Sequence, residues 1–114
     1  MDPVEFIDLG KKIQNDTNYK QEPRYRCSIS RIYYGILHFF VFNMKIRIVN
    51  NKRFHKEAIE KINIQDSYVG SLIVKIQGLR NKADYNLNQP IDSNEYARFM
   101  LTCKIMMSPY EIEI

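Results

Sequence analysis

The sequence predicts an all-α fold: one domain over residues 1–114, built as an antiparallel bundle of about five helices. Three observations carry the prediction. Apolar residues recur at three- and four-residue steps in several stretches, which places them on one helix face. The breaks between stretches are short and polar, as between neighbouring helices of a bundle. Apolar residues fill 45% of the 114 positions, enough for a packed core. A chain of this length buries roughly two-thirds of its unfolded surface and needs no staples.

The elements follow in order. Asp2-Pro3 suits a helix start, a capping carboxylate and then a proline whose missing N–H is harmless in the first turn. Val4, Phe6, Ile7, Leu9 and Ile13 give this helix its apolar side, Gly10 weakens it, and Asn15-Asp16-Thr17-Asn18 ends it. A second helix is expected from near Glu22-Pro23 to about Asn43. Tyr25, Ile29, Ile32, Ile36 and Phe40 form one line, widened by Tyr33 and Leu37. Ser28, Ser30 and Gly35 interrupt the bulky residues and would let another helix come close. A second face carries Arg31, Tyr34 and His38 in one column.

Lys45-Ile46-Arg47-Ile48 alternates with period two, and so does Tyr110-Glu111-Ile112-Glu113-Ile114, with acids in place of bases. A short β-ribbon pairing 45–49 with 110–114 is one expectation. A helix end and a frayed tail are the other. A third helix is expected from about Lys52 to Ile62, with Phe54, Ala58, Ile59 and Ile62 inward and His55 on its outer side or shoulder. Asp66 or Ser67 caps the fourth, whose stripe runs Val69, Leu72, Ile73, Ile76, Leu79, Ala83, Leu87. Ser93 is expected to cap the fifth. Tyr96, Phe99, Met100, Cys103 and Met106/Met107 face inward, and Pro109 stops it.

Several function classes are excluded at this level. No glycine-rich phosphate loop, Ser/His/Asp set or metal-ligand spacing is present, so neither cofactor nor metal is expected. No apolar run approaches the ~20 residues of a spanning helix. Met1-Asp2-Pro3 lacks a signal-peptide plan, and Cys27 and Cys103 read as small buried thiols of a reducing cytosol. A cytoplasmic protein with no membrane partner is the expectation.

Charge is uneven. Residues 20–57 hold nine bases and two acids, net +7, while the remainder nets −3. A basic segment with interleaved aromatics suits RNA; solvated helix faces in a basic protein are the plainer reading. One further arginine stands out. Arg80 follows Ile73 by seven and Ile76 by four, so it continues the apolar stripe of the fourth helix. An unpaired guanidinium there is costly, and Asp84, one turn on, is its nearest partner. Read alone, that is an i,i+4 pair on a helix shoulder contributing under ~1 kcal/mol.

Three motifs, in order, resemble the HEPN-domain family. Arg26-Cys27-Ser28-Ile29-Ser30-Arg31-Ile32-Tyr33-Tyr34-Gly35-Ile36-Leu37-His38 is similar to the second helix of one prokaryotic branch. Phe54-His55-Lys56-Glu57-Ala58-Ile59 resembles its short third helix, and Leu79-Arg80-Asn81-Lys82-Ala83-Asp84-Tyr85 its arginine signature. The resemblance spans roughly Arg24 to Met106. It implies an all-α HEPN bundle that dimerises across the arginine face. It also implies RNA or nucleotide as ligand, with a metal-independent RNase activity or a toxin-like role in a defence or toxin–antitoxin pair. Arg80, Asn81 and Tyr85 are the catalytic candidates on that basis. Arg26, Ser30, Arg31, Tyr34, His38 and Asp84 are the binding candidates. The family's downstream His is absent: Asp84, Tyr85, Asn86 and Leu87 stand in its place. Metal-free RNA cleavage needs a base for the 2′-hydroxyl or an acid for the leaving oxygen. The alternative is therefore a non-catalytic dimerisation or partner-binding module, paired with a nucleotidyltransferase that would modify Tyr85.

Overall fold

Helix α2 (Gln21–Asn43) is the axis on which the rest is assembled. The computed structural model describes residues 2–114 and places five α-helices there: α1 (Pro3–Gln14), α2, α3 (Phe54–Gln65), α4 (Ser67–Tyr85) and α5 (Ser93–Met107). Helix α2 touches each of the other four. Its buried residues lie on both the Tyr25-to-Phe40 line and the Tyr33/Leu37 flank, so it is enclosed from several sides.

Small residues set the closest approach. A Cβ added at Gly10 would lie 2.6 Å from Cγ1 of Ile32 and 2.9 Å from the carbonyl oxygen of Ser28. One added at Gly35 would lie 2.7 Å from the carbonyl oxygen of Pro3. Two glycines, one on each helix, thus let the backbones of α1 and α2 meet. Pro3 lies against Gly35 and Gly10 against Ser28 and Ile32, so the two helices run antiparallel. Helix α4 is also antiparallel to α2, since Arg80 reaches Tyr33, Asp84 reaches Ser30 and Ala83 reaches Arg26. Helix α5 is joined to α2 through the Tyr25–Tyr96 ring stack and a buried 2.7 Å hydrogen bond between the hydroxyls of Ser28 and Tyr96.

Caps and boundaries follow local chemistry. Asp2 accepts from the N–H of Val4, and Asp66 from those of Tyr68 and Val69. The fifth helix is capped by Asp92, not Ser93. Asp92 and Glu95 form a reciprocal capping box that a serine one residue later does not provide. The third helix begins with a 3₁₀ turn, Asn51–Arg53, capped by Asn50. Leu87 lies beyond the end of α4 and is exposed, so the apolar stripe stops at Ala83. Cys103 is buried but Cys27 is exposed, which corrects the expectation of two buried thiols.

No strand occurs among the described residues, so the expected β-ribbon does not form. Lys45 takes a left-handed conformation (φ 54°) immediately after α2. The N–H groups of Lys45 and Ile46 donate to the carbonyls of Phe42 and Val41, the paired bonds of a Schellman stop. Ile46 and Ile48 then pack on the core while Lys45 and Arg47 face solvent. Period-two alternation here reflects burial on one side only. Among the described residues, no helix is long and apolar enough to cross a membrane.

Candidate functional site

The arginine of α4 sits in the seam with α2. Its side chain is 18% exposed. The Nε donates to Oδ2 of Asp84 at 2.8 Å, and Nη1 makes a long 3.4 Å contact with Oδ1 of Asn81. Its guanidinium carbon lies 5.4 Å from the ring centroid of Tyr33 and 5.3 Å from that of Tyr85. Two aromatic faces and one carboxylate therefore hold it in place, while Nη2 has no partner among the described residues. Asp84 also accepts from the hydroxyl of Ser30, at 3.3 Å. The i,i+4 pair expected from spacing is present, and it leaves part of the guanidinium unused.

Aromatic contacts link this seam to the two histidines. The ring of His55 stacks on Tyr33 at 5.9 Å, and His38 stacks on Phe54 at 4.5 Å and lies 4.1 Å from Tyr34. His55 is thus half-buried and turned toward α2, not on an outer shoulder. Burial lowers the pKa of both imidazoles below the ordinary 6.5, helped by Arg80 for His55 and by His55 for His38. Both rings are therefore neutral at pH 7. Nδ1 of His55, Nε2 of His38 and the hydroxyl of Tyr33 are buried without a hydrogen-bond partner among the described residues. Burial raises the Tyr33 phenol to about 12, with Arg80 pulling the other way, so it stays protonated.

The other candidates divide. Arg31 and Tyr34 are exposed, and Arg31 has no ion pair among the described residues. Tyr85, 68% exposed, is open to a second molecule. Arg26 does not extend an anion-binding groove. Its Nη1 donates to the carbonyls of Lys82 and Ala83 at 2.9 and 3.0 Å, Nη2 to that of Gln89, and Nε to Glu22 at 2.7 Å. It is the C-terminal clamp of α4, satisfying carbonyls the helix leaves open.

Tyr33 and His55 join Arg80 although sequence reading put one in the core and the other outside. The signal for His55 was the histidine that opens the third-helix motif. Tyr33 stands in the second-helix motif but also fits the apolar line of α2, so its place beside Arg80 was not marked. Among the described residues, no group of three or more His, Cys, Asp or Glu side chains is placed to hold a metal ion. A scan against protein-family models and searches of curated proteins and of solved structures each found no match.

Proposed function

We propose that this chain is a HEPN-type bundle that binds RNA or a nucleotide phosphate at Arg80. The observation that supports the reading most directly is the guanidinium held between the rings of Tyr33 and Tyr85, with no partner for Nη2 among the described residues. A guanidinium already oriented loses little freedom when a phosphate arrives, and its planar fork matches phosphate oxygens. Asn81, exposed on the next residue, would orient that phosphate. Exposed Tyr85 lies against the arginine, which fits a second copy of the chain docking on this face. Metal-independent cleavage would draw on His55 or His38, neutral near pH 7 and able to take a proton, in place of the absent motif histidine.

One observation favours a second reading. Tyr85 is exposed and has Arg80 over its ring, so an incoming phosphate would be neutralised beside its hydroxyl. That suits a tyrosine modified by a nucleotidyltransferase partner in a non-catalytic module. A single experiment separates the readings: an RNase assay on metal-free protein, with Arg80→Ala and Tyr85→Phe as controls. Cleavage by wild type, abolished by Arg80→Ala and kept by Tyr85→Phe, supports catalysis on RNA. Binding without cleavage keeps the RNA reading and removes catalysis. Neither binding nor cleavage, with Tyr85 accepting a nucleotidyl group from a co-purified partner, supports the second.

A further inference from the structure

Away from the arginine, two open hollows of about 620 and 800 Å³ meet over Tyr34 and His38. The first is walled by Lys52, Arg53 and Lys56, the second by Lys45 and Arg47. No carboxylate lines either one, and none of the five cations has an ion pair among the described residues. The protein carries 17 bases against 13 acids, so five cations around one depression with no carboxylate in its lining is a local concentration, not an average. The floor is aromatic: Tyr34 contacts Phe6 at 4.9 Å edge-on and His38 at 4.1 Å, and His38 stacks on Phe54.

The rim is held rigidly. Glu57 accepts from the N–H groups of Val49 and Asn50 at 2.7 and 2.9 Å. Lys61 donates to Glu57 at 2.7 Å and to the carbonyl of Arg47 at 2.6 Å. The segment carrying Lys45 and Arg47 is thereby tied to α3, and the Glu57 carboxylate is turned into that tie and matched by Lys61. These bonds hold the Glu57 carboxyl down at about 2, so the tie persists through the neutral range.

We propose that this depression is a track for single-stranded RNA. The cations would follow the phosphates, and an unpaired base would stack on Tyr34, the exposed ring that His38 and Phe54 back. Fixed cations around an aromatic platform are what sequence-tolerant single-strand binding requires, since every base has a π-face and every nucleotide a phosphate. A duplex offers phosphates but hides its base faces, so it would use only half of the site. The assignment rests on the RNA reading above and gives it a surface next to the Arg80 seam.

The test is fluorescence anisotropy with a labelled oligouridylate and with a duplex RNA of equal length. The comparison set is wild type, Lys52→Glu/Arg53→Glu/Lys56→Glu, Tyr34→Ala, and a control that reverses the same charge elsewhere, Lys12→Glu/Lys75→Glu/Lys104→Glu. Circular dichroism checks that each variant is folded, and all the reversed residues are solvent-facing. Expected is preferential binding of the single strand, with a log–log salt slope of about −3 or steeper for five phosphate contacts. The groove reversal should weaken binding about tenfold or more and flatten the slope, Tyr34→Ala about fivefold, and the control reversal far less. Equal losses in groove and control variants, or equal affinity for the duplex, would overturn the track while leaving RNA binding in place. Failure of wild type to bind either RNA would overturn the track and the RNA reading together.

Discussion

Arg26 and Arg80 lie at different points of the same α2–α4 seam and are spent differently. Every nitrogen of Arg26 has a partner, and those partners are the backbone at the end of α4 and Glu22. Arg80 has one firm partner, Asp84, and otherwise lies between rings. Backbone carbonyls cannot leave, so a guanidinium bound to them is part of the fold. A carboxylate and two ring faces hold a guanidinium without using up its donors, and such a group is available to an incoming anion. The difference teaches that the number of arginines in a basic segment matters less than which of their N–H groups are already committed.

The contrast can be broken most strongly at Arg26. Arg26→Ala should cost about 3 kcal/mol in urea unfolding, because the carbonyls of Lys82, Ala83 and Gln89 lose charged donors together. Arg26→Lys should recover less than half, since one ammonium lacks the fork that spans them. A loss under about 1 kcal/mol would show that Arg26 is not the clamp. Arg80→Ala should move the other way: below about 1 kcal/mol in stability, because its ion pair and ring contacts are partly solvated. It should weaken RNA binding by about tenfold, read by anisotropy, the loss of one charged phosphate contact. Unchanged affinity with a large stability loss would make Arg80 a second Arg26.

Asp84→Asn sharpens the same contrast with a smaller effect. It keeps shape and frees the guanidinium, so RNA affinity should rise by about threefold while stability drops by about 0.5 kcal/mol. The smallest effect is acid sensitivity. Both histidines have native pKa values below 6.5, so the unfolded chain binds protons first as pH falls. Stability should decline as pH drops through 6.5 and level off once both rings are charged in the native state. His55→Phe should flatten part of that decline in a series of urea midpoints. A flat wild-type profile through that window would mean the rings are not held neutral.

Much of the bundle was legible because burial is periodic. The lines Tyr25-to-Phe40 and Val69-to-Ala83 announced which faces point inward, and Asp2 and Asp66 announced two starts. Of the two expectations for 45–48, the helix end holds and the ribbon does not, because alternation records which side is covered, and Ile46 and Ile48 are covered without any pairing strand. Ser93 was chosen over Asp92 because a cap is decided by a reciprocal bond with Glu95, one residue of register that composition does not settle. At the site, the Arg80–Asp84 pair was local and therefore readable. The Tyr33 face came from another helix, and so did the carbonyls claimed by Arg26, fifty-six to sixty-three residues away. Long-range partners leave no mark in the spacing of either stretch.

The two thiols differ in a way that is experimentally useful. Cys103 is sealed in the core, where burial pushes its pKa far up, while Cys27 lies open beside Ser30, Arg31 and Asp84. A maleimide spin label would therefore attach at one position without mutagenesis. Dipolar spectroscopy on that single reporter would give the spacing between two copies across the arginine face, and would return no coupling from an isolated chain.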